Sequence, residues 1–220
     1  MEHSPFPVME DIFASLSDCR VFCVLDLAGA YQQLALSPEA QEALTINTTF
    51  GLFQYTRLPF GIKTAPQTFQ SVMSQILFGL SNVFCYLDDI LIGAATDNEC
   101  KDSLMKVLSR LNEYNVKINL GKCKFLQREV AYLGHILCGG QIMPNPIKIE
   151  AVMKAPVPKN LAQLQSFLGL LNYYGRFIPN LSTKLSVLYG LLRKDNPYKW
   201  TEGCQKVFDN SKELLVNHKV

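Results

Sequence analysis

Two kinds of apolar spacing alternate along the chain. Residues 20–27, Arg-Val-Phe-Cys-Val-Leu-Asp-Leu, form a β-rich apolar run interrupted by one acid, Asp26. Residues 83–92, Val-Phe-Cys-Tyr-Leu-Asp-Asp-Ile-Leu-Ile, form two more such runs with Asp88 and Asp89 between them. Short runs of this kind predict buried strands, and a two-residue break between two of them predicts a hairpin. Residues 43–57 alternate well enough for two strands around a turn at 49–51. Helical spacing takes over at positions 69, 72, 73, 76, 77 and 80, predicting a helix over 67–80 entered at Pro66 and ended by Gly79 and Asn82.

A second helix is predicted after Thr96 or Asp97, either of which can cap it, with Leu104, Val107, Leu108 and Leu111 as its apolar stripe. Residues 116–143 again suggest strands. Prolines at 144, 146, 156 and 158 mark a change of composition, so a boundary is expected near 144. Asn160 can cap a third helix with the stripe Leu161, Leu164, Phe167, Leu168 and Leu171, and Pro179 separates it from a fourth over 182–193. Asp195-Asn196-Pro197 would close that helix, and a last helical pattern runs from Cys204 to Leu215. A short amphipathic stretch, Met9 to Leu16, precedes the first strand. The whole predicts an α+β body followed by a helical unit.

Composition narrows the class. An apolar content of 48% against 18% charged residues indicates a packed core, not a disordered chain. No apolar run is long enough for a bilayer, and no signal-peptide pattern opens the chain, so no membrane partner is expected. Seven scattered cysteines without a CxxC pair argue against a zinc site or a disulfide framework. A reducing intracellular setting, cytoplasmic or nuclear, is the expectation. The net charge of +2 hides an asymmetry: residues 1–96 carry three basic and nine acidic side chains, and 97–220 carry 18 and 10. An acidic front half and a basic back half suit a cation centre beside a polyanion-binding surface.

The chemistry centres on Asp26, Asp88 and Asp89. As a turn tip, the Asp88–Asp89 pair needs nothing more than solvent. As charges set among buried strands, they call for a partner, and no Lys or Arg lies between Lys63 and Lys101. Three carboxylates on two strands could hold two hard divalent cations, as sites for in-line phosphoryl transfer do. Adjacent acids fit poorly the separated carboxylates of a glycosidase, and no Walker or GxGxxG loop is present.

Four motifs in order carry a resemblance. Val-Leu-Asp-Leu-Ala-Gly-Ala-Tyr (24–31), Arg-Leu-Pro-Phe-Gly-Ile-Lys-Thr-Ala-Pro (57–66), Tyr-Leu-Asp-Asp (86–89) and Tyr-Leu-Gly-His (132–135) resemble the reverse transcriptase of gypsy-type LTR retrotransposons. The similarity continues through Phe-Leu-Gly-Leu-Leu-Asn-Tyr-Tyr-Gly-Arg-Phe-Ile-Pro (167–179) to Trp200. It implies a reverse-transcriptase-like palm with partial fingers over 1–143, a helical thumb over 144–195, and a tether toward an RNase H domain over 196–220.

The implied activity is RNA-directed DNA synthesis from deoxynucleoside triphosphates on a primer annealed to an RNA or DNA template. Two Mg²⁺ ions, with Mn²⁺ as a substitute, would be held by Asp26, Asp88, Asp89 and the Leu27 carbonyl. Tyr31 corresponds to an aromatic gate beneath the sugar, where a ring would clash with a ribose 2′-OH. Pro59, Phe60 and Gly61 correspond to a loop against the incoming nucleotide. Tyr86 and Leu87 correspond to positions that touch the primer end, Lys122 corresponds to the family's candidate proton donor to pyrophosphate, and Tyr132, Leu133, Gly134 and His135 correspond to its primer-grip hairpin. Gln165, Gly169 and Tyr173, at i, i+4 and i+8, correspond to a face that tracks the minor groove. RNase H and integrase regions of a parent polyprotein are implied partners. Family members carry a longer fingers region with triphosphate-binding basic groups before the equivalent of Phe6-Pro7, and this chain does not include it. An impaired remnant that binds primer–template duplex is therefore the alternative expectation.

Overall fold

The computed structural model describes residues 7–175, 178, 180–193 and 197–217. The expected role of Pro179 as a helix separator, of Asp195-Asn196 as a helix stop, and the Arg176-Phe177 part of the last motif lie outside the described residues. So does Phe6. The chain divides into two compact units: Met1–Val130 with Cys138–Gly140, and Ala131–Leu137 with Gln141–Val220. The division thus runs through a β-hairpin sheet, ahead of the break expected near 144.

The first unit opens with helix α1 (Met9–Ser15) and strand β1 (Val21–Asp26), then a short 3₁₀ turn at Ala30–Gln33 and helix α2 (Pro38–Ala43). Strands β2 (Thr45–Thr48) and β3 (Gly51–Gln54) pair as a separate hairpin. Helix α3 (Ala65–Ile76), strands β4 (Val83–Tyr86) and β5 (Asp89–Ala94), helix α4 (Asp97–Glu113), a 3₁₀ turn at Leu120–Lys122 and strand β6 (Lys124–Gln127) complete it. A four-stranded sheet has the order β4-β5-β1-β6. As an inner strand, β1 is buried from Val21 to Leu25, which is why it reads as a continuous apolar run. Phe69, Met73 and Ile76 of α3 and Cys100, Val107 and Leu111 of α4 share one core with Val21, Cys23 and Leu25 of β1 and with Ile90 and Ile92 of β5. Gly93 of β5 admits close packing, since a Cβ there would lie 2.4 Å from a Leu16 methyl and 2.9 Å from the Cys19 sulfur.

Local signals set most boundaries. Thr96 and Glu99 form a reciprocal capping box at the start of α4. Its stripe begins one turn earlier than expected, at the buried Cys100, while Leu104 and Leu108 are only partly buried. Helix α3 ends at Ile76, short of the expected Leu80, with Gly79 at φ 82°. Helix α2 was not expected; Ser37 caps it and Pro38 occupies its first turn.

The second unit takes in half of strand β7 (Glu129–Tyr132), most of β8 (His135–Cys138), all of β9 (Gln141–Pro144), and helices α5 (Pro146–Met153), α6 (Leu161–Tyr173), α7 (Leu181–Lys184), α8 (Ser186–Gly190) and α9 (Glu202–Asn217). The sheet order is β7-β8-β9. Its helical core gathers Val152, Leu164, Phe167, Leu168, Leu171, Leu185, Leu188 and Phe208. Leu161, expected on that stripe, is 42% exposed because it opens the helix beyond the core. Asn145 and Pro146 start α5, where the prolines alone suggested only a boundary. The expected single helix over 182–193 is instead two short ones, separated at Leu185 (φ −96°, ψ 5°), whose buried side chain is held in the core. Among the described residues, no helix is long and apolar enough to cross a membrane.

Candidate active site

The three acids meet through strand register. Asp26 ends β1 directly opposite Asp89, which opens β5, and Asp89 also pairs with Tyr86 across the β4–β5 hairpin. The connecting turn is therefore Leu87-Asp88, one residue earlier than the expected Asp88-Asp89 break. The Leu27 amide donates to the Asp88 carbonyl at 2.9 Å, and the Asn119 amide donates to the Asp26 carbonyl at 2.8 Å. Leu27 is buried and bridges Ile118. Across this junction the 3₁₀ turn at 120–122 brings the Lys122 Nζ to 3.6 Å from the Asp26 Oδ2.

Burial, then the neighbouring Asp26 charge, raises the Asp88 carboxyl above its usual range, and Lys122 opposes the shift. The same causes raise Asp89, with Asp88 adding to the repulsion. One ammonium faces three carboxylates, so the cluster carries unbalanced negative charge. Among the described residues, no three His, Cys, Asp or Glu side chains form a ready metal-holding group. The donor set nonetheless suits a hard cation, consisting of carboxylate oxygens whose mutual repulsion a cation would relieve.

The hairpin is held from behind by a residue the sequence did not single out. Gln70 of α3 is 1% exposed; its Nε2 donates to the Cys85 carbonyl at 2.8 Å and its Oε1 accepts the Leu87 amide at 3.1 Å. Leu87 has φ 55°, a left-handed conformation that costs a branched side chain energy. The available signal was a glutamine at i−3 from Met73 and i−7 from Leu77, on the helix's apolar face, where burial demands bonded partners. The Cys85 thiol, also buried, is pushed up to about 12 by desolvation and then by the two acids.

Tyr31 lies in the 3₁₀ turn after Gly29, whose φ of 59° turns the chain out of β1. Its ring meets Phe60 and Phe69 edge-on, each at 5.6 Å between centroids. Burial, then the Asp88 charge, raises its hydroxyl's pKa. Pro59 is buried, Phe60 is 62% exposed, and Gly61 has φ 88°. Phe60 and Pro59 line a cavity of about 460 Å³ with Gln32, Tyr55, Arg57 and Leu58. Gln33, also not anticipated, ties this region together: its Nε2 donates to the Ala28 and Lys117 carbonyls, its Oε1 accepts the Lys117 amide, and its carbonyl accepts from Arg57.

In the second unit, Tyr132 and His135 are 2% and 0% exposed, so only Leu133 and Gly134 of the expected primer-grip residues reach the surface. On α6, Gln165 and Gly169 are exposed, whereas Tyr173 is half-buried and donates its hydroxyl to the Leu133 carbonyl. Of the three residues expected on one helical face, two are exposed and Tyr173 is also engaged in the fold.

The model of the reverse transcriptase (RNA-dependent DNA polymerase) family matches residues 3–137. The retrovirus-related Pol polyprotein from transposon 297 of Drosophila melanogaster is 38% identical over 86% of this chain, and the Tf2-3 transposon polyprotein of Schizosaccharomyces pombe is 34% identical over 97%. The chain spans 18% and 16% of those polyproteins' lengths. A foamy viral protease–reverse transcriptase, solved with double-stranded DNA, superposes over 100% of this chain and 46% of its own with a TM-score of 0.88 at 24% identity. The same enzyme with an RNA/DNA hybrid gives 0.83 over 99% and 30% at 23% identity.

The fold is a reverse-transcriptase-like α+β domain, as expected. The chain belongs to the reverse transcriptase (RNA-dependent DNA polymerase) family, and the resemblance carried by its four motifs is borne out.

Proposed function

We propose that this chain is the DNA-synthesis domain of a longer transposon Pol polyprotein, extending a primer on an RNA or DNA template with deoxynucleoside triphosphates. The observation that carries the reading is the pairing of Asp26 with Asp89, with Asp88 on the adjoining turn and Lys122 beside them. The foamy viral neighbours, solved with double-stranded DNA and with an RNA/DNA hybrid, support a nucleic-acid duplex as partner. All seven cysteines are free, which suits a reducing compartment.

Asp26, Asp88 and Asp89, with the Leu27 carbonyl, would hold two Mg²⁺ ions. Those ions would supply charge neutralisation on the attacking and leaving oxygens. The protein's own share is positioning. Gln70 and the β-register keep the carboxylates together, so little reorganisation is needed when phosphates arrive. The Tyr31 ring, braced between Phe60 and Phe69, would form a floor under the sugar that excludes a 2′-OH. The Lys122 Nζ carries the proton that the departing pyrophosphate oxygen takes up, a role worth roughly 10²–10⁴-fold for a placed general acid. Tyr86 and Leu87 face the primer end. RNase H and integrase regions of the parent polyprotein would act on the product.

A second reading, duplex binding without synthesis, rests on the duplex complexes of the foamy viral neighbours. Primer extension on a primed RNA template with Mg²⁺ separates the two. Synthesis by the purified chain, abolished in Asp88→Asn with duplex affinity kept within about twofold, supports the first reading. Duplex binding with no extension leaves the second.

A further inference from the structure

Resting on the reading of residues 132–135 and helix α6 as duplex-contacting elements, we infer that Tyr173 and Tyr174 are positioning residues that lock the Leu133-Gly134 turn to the C-terminal end of α6. One duplex would then meet the turn and the helix face as a single surface.

The turn joins β7 to β8 through two residues, both at positive φ: Leu133 at 45° and Gly134 at 72°. Two-residue hairpin turns with both residues left-handed favour Asn or Gly. Leucine at the first position is disfavoured, so the surrounding structure has to hold it there. The holding groups are the carbonyl bonds. The Leu133 carbonyl accepts from the Tyr173 hydroxyl and lies 2.7 Å from the His135 Nδ1, which must carry its proton because a carbonyl can only accept. The Gly134 carbonyl accepts the Asn145 amide at 3.1 Å and the Tyr174 hydroxyl at 3.2 Å. Each carbonyl therefore takes one bond from near the hairpin and one from a tyrosine of the helix.

The rings add packing to the bonds. The His135 ring lies 5.4 Å from Tyr173 and 5.6 Å from Tyr174, and the two tyrosines meet edge-on at 5.0 Å. A Cβ at Gly134 would lie 3.2 Å from the Tyr173 hydroxyl, so glycine lets the helix end sit against the turn. Tyr173 is the last residue of α6 and Tyr174 its C-cap, two and a quarter turns beyond the exposed Gln165 and about one beyond Gly169. Displacement of that face is transmitted to the turn through consecutive residues.

Tyr173→Phe and Tyr174→Phe each delete one hydroxyl and keep the ring. In the full chain, amide hydrogen exchange at residues 133–135 is expected to quicken about fivefold or more in either variant, as loss of one partly buried bond implies, with β1 and β5 unchanged. Unchanged exchange at the turn overturns the lock. In primer extension, the loss is expected to fall on the primer–template KM, about fivefold, more than on kcat. A fall in kcat with KM unmoved overturns the duplex-positioning role. Tyr173→Leu, which removes ring and hydroxyl together, should exceed Tyr173→Phe in both readouts. If the unsubstituted chain extends no primer, the exchange measurement still decides the lock, and the failure belongs to the polymerase reading.

Discussion

Gln70 and Leu87, seventeen residues apart, are joined by a 3.1 Å bond from the Leu87 amide to the Gln70 Oε1. The same side chain donates to the Cys85 carbonyl at 2.8 Å, so one buried amide holds the β4 side of the turn that carries Asp88. Helix α3 is thereby tied to the strand that leads into the turn.

Gln70→Leu keeps the volume but leaves a buried carbonyl and amide without partners. Stability is expected to fall by about 2–4 kcal/mol, the desolvation cost of two orphaned groups. Urea unfolding monitored by circular dichroism measures it. A loss below about 1 kcal/mol would show that other groups take over both bonds.

Asp89 offers a test of the acidic cluster by pH. Its folded-state carboxyl is raised, by burial first and then by Asp26 and Asp88. A raised acid binds its proton more readily folded than unfolded, so its favourable contribution is present below the unfolded pKa and is lost as pH rises through the folded one. Asp89→Asn removes that dependence. The variant is expected to be the more stable protein at pH 7, with the advantage shrinking as pH drops through the carboxylate range. Melting curves from pH 3 to 8 test this, and an advantage that grows on acidification would reverse the assignment.

Replacing Tyr31 with valine opens the space between Phe60 and Phe69. Ribonucleotide incorporation is expected to rise on the order of tenfold or more relative to deoxynucleotide. Single-nucleotide insertion with matched ribo- and deoxynucleotides gives the ratio. Unchanged discrimination with lowered stability would make Tyr31 a packing residue only.

Duplex binding should weaken steeply with salt if the basic residues of 97–220 neutralise phosphates. Each contact contributes roughly −0.9 to the slope of log K against log salt, so a slope of about −3 or steeper is expected. Fluorescence anisotropy of a labelled primer–template across salt concentrations reads it directly. A flat response would place binding elsewhere.

Short-range chemistry was legible in the chain itself. The apolar run before Asp26, the break at Asp88, the cap at Thr96 or Asp97, and the Asn160 cap with its stripe each depend on neighbours within a turn or a strand. Four ordered motifs then sufficed for the family. The missed α2 and α5 carried readable signals too, at Ser37-Pro38 and Asn145-Pro146. Tertiary structure alone decided what depends on pairing across distance. It put Asp26 opposite Asp89, moved the turn to Leu87-Asp88, split the helix expected over 182–193 at the buried Leu185, and gave the Tyr173 hydroxyl the Leu133 carbonyl as its acceptor. No local pattern encodes those outcomes. Strand register and the destination of a buried polar group follow from which surfaces meet, and that is settled only when the whole core packs.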